Sequence, residues 1–120
     1  MENLRAGQVD RYAIIRNIRW SPSEKSVARV AFDRALHRDC EAVIREVQRR
    51  AAALQGAADL WRLEDYLRER RKEIGSRYDY GYSVLPFVFA ELISAGRLKE
   101  EELHGLSEEK LAHIRSLAAH

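Results

Sequence analysis

Residues 59–92 read DLWRLEDYLRERRKEIGSRYDYGYSVLPFVFAEL, and the change of character within them decides the fold class. The first part has the pattern of a charged amphipathic helix, its apolar stripe formed by Leu60, Leu63, Leu67 and Ile74. Asp59 is the expected N-cap. The second part, SVLPFVFAELISA, predicts a short buried helix capped by Ser83, with Pro86 tolerated because it lies in the first turn. Gly75 and the run Tyr78-Asp79-Tyr80-Gly81-Tyr82 form the expected break between them. Trp61 stands at the start of the charged helix and off its leucine stripe.

Upstream, Ser21-Pro22-Ser23-Glu24 is a helix start: Ser21 can cap, Pro22 suits the first turn and Glu24 completes a capping box. Nothing interrupts that helix before about Gln55, which makes it about 50 Å long. Leu36, Cys40, Val43, Val47 and Leu54 recur at coiled-coil spacing, with Arg50 in the gap. A chain this small has too little of itself to cover such a helix along its whole length. Pairing with a second copy is expected, through Val43, Ile44, Val47, Leu60 and Leu63. Gly56 is the expected stop. Downstream, Gly96 ends the buried helix, and two short helices are expected at 99–104, closed by Gly105, and at 108–118, capped by Ser107. The fold class is all-α: a long antiparallel two-helix stalk over 20–78 and a small helical head over 79–120, preceded by a basic N-terminal arm over 1–19.

The totals narrow the functional classes. A chain of 120 residues is one domain. Its 21 Lys and Arg nearly balance 19 Asp and Glu, so a net charge of +2 does not point to nucleic acid. Single Cys40 excludes an internal disulfide and fits a reducing compartment. The longest apolar run, Val84 to Ala90, is far short of the roughly 20 residues of a membrane span. With no hydrophobic signal core at the N-terminus, a cytoplasmic location is expected.

Little in the chain suggests catalysis. There is no phosphate loop, nucleophile elbow or paired-carboxylate motif, and the four histidines are scattered. Glu109 and His113 share a helix face, but two ligands do not make a metal site. Cys40, on the coiled-coil seam, is expected to be a small buried hydrophobe. On a helical wheel Trp61, Glu64, Asp65, Arg68, Arg71 and Lys72 fall on one face. Two readings of that face stand side by side. It is either a protein-docking surface with an aromatic anchor, or a dimer seam around Trp61 flanked by surface ion pairs such as Glu64–Arg68. Arg68 to Lys72 also suggests a phosphate-binding patch, weakened by the interleaved acids Glu64, Asp65, Glu69 and Glu73. The three tyrosines of the break are expected to cover the helix join with wet hydroxyls. Phe87 and Phe89, two positions apart, point in different directions, so one of them can surface.

The run Asp59-Leu60-Trp61-Arg62-Leu63, then Asp65-Tyr66-Leu67, Arg71, Glu73-Ile74, Tyr78-Asp79, Ser83-Val84 and Phe87-Val88-Phe89-Ala90-Glu91-Leu92, resembles the fluorescence recovery protein family of cyanobacteria. The likeness extends upstream to Trp20-Ser21, Glu24, Ala31-Phe32 and Ala35, and downstream to Glu101-Glu102-Leu103 and Leu117. The resemblance implies an all-α dimer without enzymatic activity or cofactor. Such a dimer binds the photoactivated orange carotenoid protein, chiefly its C-terminal domain. It speeds that protein's return to the resting orange form, so that phycobilisome quenching ends.

The family's working surface, a Trp, a His, an Asp and an Arg, falls on Trp61, Glu64, Asp65 and Arg71. An aromatic and a Lys of the head fall on Phe87 and His113, and the leucine that holds family dimers together falls on Leu60. Glu64 and His113 depart from the pattern. The implied location is cytoplasmic, with peripheral contact to thylakoids allowed. Alternatives are a dimer of the same fold with an unrelated protein client, and a nucleic-acid-binding dimer using Arg68 to Lys72.

Overall fold

A computed structural model describes residues 19–119, and every regular element within them is helical. These are α1 (Pro22–Ala52), α2 (Ala57–Arg77), α3 (Leu85–Ser94), a 3-10 turn (Glu100–Leu103) and α4 (Glu108–Ala118). The expected all-α class therefore holds. The basic arm, Arg19 apart, lies outside the described residues, as does His120.

α1 begins as its sequence requires. The Ser21 hydroxyl accepts the Glu24 N–H at 3.1 Å and the Glu24 carboxylate accepts the Ser21 N–H at 3.0 Å. Thirty-one residues give a rod of about 46 Å, within a molecule whose longest dimension is 61 Å. The radius of gyration, 18.4 Å, exceeds the roughly 14 Å of a compact chain this size.

That elongation has a packing cause. The N-terminal half of α1 carries Ala28, Ala31, Phe32 and Ala35 on one face, all buried. They meet Leu85, Val88, Phe89, Ala90 and Leu92 of α3, then Leu98, Leu103 and Leu106, and Leu111 and Ile114 of α4. Small side chains on α1 let the other helices approach its backbone. Beyond Asp39 the pattern changes: α1 packs along α2, which has no fully buried residue. One end is thus a packed head and the other a two-helix stalk.

Several boundaries differ from the expected ones. α1 stops at Ala52, where Ala53 is the C-cap, and not at Gln55. Gly56, in extended backbone, is the N-cap of α2. Asp59 is therefore inside the first turn, where its carboxylate accepts the Gln55 N–H at 3.0 Å and pairs with Arg62 at 2.8 Å. α2 runs through Gly75 to Arg77. A Cβ at Gly75 would meet nothing within 4 Å, so the helix carries this glycine at a cost of about 0.5–1 kcal/mol and does not break on it. Val84, not Ser83, caps α3, because Gly81 O already accepts the Val84 and Leu85 N–H groups. The expected helix at 99–104 is a 3-10 turn whose Glu102 carboxylate accepts the Lys99 N–H at 2.9 Å.

Three signals hold as read. Ser107 caps α4 by accepting the Lys110 N–H. Gly96, at φ +76°, ends α3 while the Arg97 N–H donates to Leu92 O. Gly105, at φ +113°, closes the 3-10 turn so near α1 that a Cβ would lie 2.8 Å from Val27 Cγ2. Gly105→Ala is accordingly expected to cost about 1–3 kcal/mol in urea unfolding; an unchanged midpoint would show that α1 and the turn yield without strain.

Candidate protein-docking site

The stalk face is built on the middle of α2. Trp61 is 60% exposed, more than any other large hydrophobic residue described. One turn on come Glu64 and Asp65, both exposed. Arg68 reaches back to both, with Nη2 2.6 Å from Glu64 Oε2 and Nη1 3.6 Å from Asp65 Oδ1. The hydrogen bond from Arg68 thus draws the charge of Glu64 into a local pair. Arg71 lines two depressions, one of about 230 Å³ with Glu64, Leu67 and Arg68. The other, about 270 Å³, is walled mainly by Cys40, Val43, Ile44, Leu67 and Ile74. A charged surface and an apolar groove therefore meet along the Leu67–Arg71 edge.

Of the residues expected at a dimer seam, Val43 and Ile44 line that groove. Ile44 and Leu60 are 47% and 45% exposed, while Val43, Val47 and Leu63 are half-buried. Exposed aliphatic side chains beside an apolar groove are the composition of an interaction surface. Cys40, expected to be buried, is exposed. The buried side of α1 at this level is set instead by the stripe Ala28, Ala31, Ala35 and Asp39.

Several other charges of the stalk are paired. Tyr66 lies between two guanidinium groups, Arg50 at 4.3 Å and Arg70 at 5.5 Å from its ring centre. Arg50 also pairs with Glu46, and Arg70 with Glu73 at 2.8 Å. The run from Arg68 to Lys72 is consequently not a field of one sign. Among the described residues no three His, Cys, Asp or Glu side chains come together as a metal site.

Phe87 and His113 lie on the head, on α3 and α4, and both are half-buried. Phe89, two positions beyond Phe87, is fully buried, as helix geometry requires. The structure thus gathers Trp61, Glu64, Asp65 and Arg71 on one helix face and puts Phe87 and His113 on another part of the fold. Trp61 is some 24 Å along α2 from Arg77, where that helix ends at the head.

Between these regions is a site that the sequence reading missed. Asp39, 4% exposed, accepts hydrogen bonds from Arg97 Nε at 2.5 Å, the Tyr78 hydroxyl at 2.7 Å and Arg77 Nη1 at 2.9 Å. Burial pushes its carboxyl up, but the Tyr78, Arg97 and Arg77 donors outweigh burial and hold it below the usual carboxylate range. Burial and the Asp39 carboxylate push the Tyr78 hydroxyl up. Tyr78 is therefore not the wet tyrosine expected. The signal available in the sequence was an acidic residue continuing the apolar stripe Ala28, Ala31, Ala35. Tyr80 and Tyr82 do cover the join: Tyr80 meets Phe32 edge-on at 4.9 Å, under the Arg29 guanidinium at 3.7 Å, and Tyr82 packs near Trp20 at 5.6 Å.

No described helix is long and apolar enough to cross a membrane. Residues 20–118 match the family described as photoprotection regulator fluorescence recovery protein. The fluorescence recovery protein of a Synechocystis strain is 37% identical over 99 residues, which is 82% of this chain and 91% of that protein. The solved structure of the Fremyella diplosiphon fluorescence recovery protein superposes with a TM-score of 0.82 at 44% identity, over 85% of this chain and all of that one. The Synechocystis structure gives 0.81 at 36% identity, with the same coverage. Sequence match, helix order and stalk-and-head architecture agree over the same residues, and the chain belongs to the fluorescence recovery protein family of photoprotection regulators.

Proposed function

We propose that this chain is a dimeric, non-enzymatic regulator that binds the photoactivated orange carotenoid protein, chiefly through that protein's C-terminal domain. It speeds return to the resting form and so ends phycobilisome quenching. The observation that carries this reading is Trp61, 60% exposed beside the paired charges of Glu64, Asp65 and Arg68 and next to Arg71. A rigid aromatic anchor with both charge signs around it is the composition of a docking hot spot. Phe87 and His113 would add contacts from the head.

Binding the activated client alone would slow its relaxation. Acceleration requires the face to fit the transition state for reversion better than the activated form. No cofactor or nucleic acid enters this scheme, and its place is the cytoplasm, including the cytoplasmic side of thylakoids. The seam proposed for the dimer is the groove around Val43, Ile44, Val47, Leu60 and Leu63.

The test is to mix the chain with photoactivated carotenoid protein and time its colour reversion. Reversion should quicken with the wild-type chain. Trp61→Ala should remain a dimer by light scattering and bind at least about 30-fold more weakly, as loss of a hot-spot tryptophan does. Monomers would instead make Trp61 a seam residue, and unchanged reversion would remove it from the docking face.

The second reading is a dimer of this fold with another protein client, favoured by the Glu64–Arg68 bridge at 2.6 Å. That bridge presents an internal ion pair where the family carries a histidine. Reversion quickened by Glu64→His but not by the wild-type chain would support this second client.

A further inference from the structure

The geometry points to Asp39 as a positioning residue: a latch that fixes the angle between stalk and head, and so the spacing between Trp61 and the Phe87–His113 surface. The latch follows from the structure alone; its consequence for docking rests on the function proposed above. Asp39 belongs to α1, the one helix that runs through both parts. Its three donors come from three other places: Arg77 from the last residue of α2, Tyr78 from the linker, and Arg97 from the segment after α3. One buried carboxylate thus ties α2, the linker and the α3 exit to α1.

Apolar support for this junction comes from the linker side, where the Tyr78 ring meets Phe32 edge-on at 5.4 Å; the side facing α2 has little. A cavity of about 270 Å³ lies beside Asp39, between Ala42, Val43, Ile74 and Ala95. On its wall the Arg70 Nε is buried with no hydrogen-bond partner. A space large enough for several waters is one where close-packed side chains do not hold the parts together. The direct link from α2 to α3, Arg77 to Glu91, is long at 3.4 Å and solvent-exposed on the Glu91 side.

α2 also has a place to bend. Gly75, two residues before Arg77, is exposed, and the space where its Cβ would stand is open. Packing does not demand a glycine there, and glycine is where a helix flexes most readily. A flexure next to a polar latch is the arrangement of a joint whose angle one residue sets.

The test measures the angle directly. Nitroxide labels at Glu69→Cys on α2 and Ser116→Cys on the head, both exposed positions, go into a Cys40→Ser background. Labelled chain is diluted with unlabelled chain, and the intramolecular distance distribution is recorded by pulsed electron resonance. A single narrow distribution is expected, and Asp39→Asn should broaden it at least twofold while far-UV circular dichroism stays unchanged. Adding Gly75→Ala should narrow it again without restoring any hydrogen bond to position 39.

A folded Asp39→Asn chain with the parent distribution would overturn the latch. Should Asp39→Asn unfold, Arg97→Gln removes one of the three arms, and the same criterion applies to it. In the second arm, affinity for photoactivated carotenoid protein should fall at least tenfold with Asp39→Asn and recover with Gly75→Ala. Broadening without loss of affinity leaves the latch and removes its role in docking. A parent chain that does not bind the carotenoid protein defeats the client assignment and leaves the distance result standing.

Discussion

Leu60→Glu is expected to turn the proposed dimer into a monomer in size-exclusion chromatography with light scattering, with no loss of helix by circular dichroism. Within one chain Leu60 is 45% exposed, so the new carboxylate stays in water and internal packing is lost only in part. Its effect falls on what covers Leu60 from outside. Leu60 is exposed to a similar degree as Ile44 and Leu67 and lies about 10 Å along α2 from Leu67, which walls a groove with Val43, Ile44 and Ile74. In a two-fold dimer each residue of the seam occurs twice, so one substitution introduces two carboxylates. Burying them without partners costs several kcal/mol, enough to weaken association by about 100-fold or more. A dimer that survives at micromolar concentration would remove Leu60 from the seam.

This result would also separate the two readings of Trp61. Neighbouring helix positions point about 100° apart, so Leu60 and Trp61 can serve different partners. If Leu60→Glu gives monomers while Trp61→Ala leaves dimers that do not bind the client, seam and docking face are distinct surfaces of α2.

Much of the architecture was legible because it depends on neighbours in sequence. The Ser21 capping box, the Ser107 cap and the stops at Gly96 and Gly105 are all set within a few residues. The shared face of Trp61, Glu64, Asp65, Arg68 and Arg71 follows from helical periodicity alone, as does the surfacing of Phe87 beside buried Phe89. The structure departs from the sequence pattern where backbone conformation or distant groups decide. Asp59 and Gly75 look like helix punctuation in the sequence. The start of α2 depends instead on the extended backbone of Gly56, and its last residue, Arg77, is held by Asp39, 38 positions away. Cys40, on the heptad seam, is exposed within one chain and lines the groove with Val43 and Ile44, while the chain's own core takes up the stripe one residue back, ending at Asp39. Which of two adjacent stripes faces the head is a tertiary choice, and nothing local records it. The same holds for Arg71, whose position between a charged and an apolar depression depends on how α1 lies against α2.

Glu24→Gln is expected to cost about 3–5 kcal/mol at neutral pH in urea unfolding and to remove part of the protein's acid sensitivity. Glu24, 8% exposed, uses both oxygens. Oε1 accepts the Ser21 N–H at 3.0 Å and Lys110 Nζ at 3.1 Å, and Oε2 accepts the Ser107 N–H at 2.8 Å. Ser21 and Ser107 are the N-caps of α1 and α4, so one carboxylate joins the starts of two helices 86 residues apart. Lys110 is itself 4% exposed, donates to Arg19 O at 2.6 Å and lies 5.0 Å from the Trp20 ring. Without Glu24 its ammonium would be buried with no counter-charge.

Burial pushes the Glu24 carboxyl up, but the Ser21, Ser107 and Lys110 donors outweigh it and bring the group from 4.5 down to about 2. A carboxylate whose folded pKa is depressed contributes fully above its unfolded value. That contribution is lost as pH falls from about 4.5 towards about 2. Asp39 is depressed as well, and Glu102, hydrogen-bonded by Arg38, is held at about 2, so the acid slope is shared. Glu24→Gln should remove only its own part of that slope. Lys110→Met in the Glu24→Gln background should recover stability, because it removes the ammonium that the first substitution stranded. If the two substitutions instead add, the carboxylate and the ammonium are not energetically coupled.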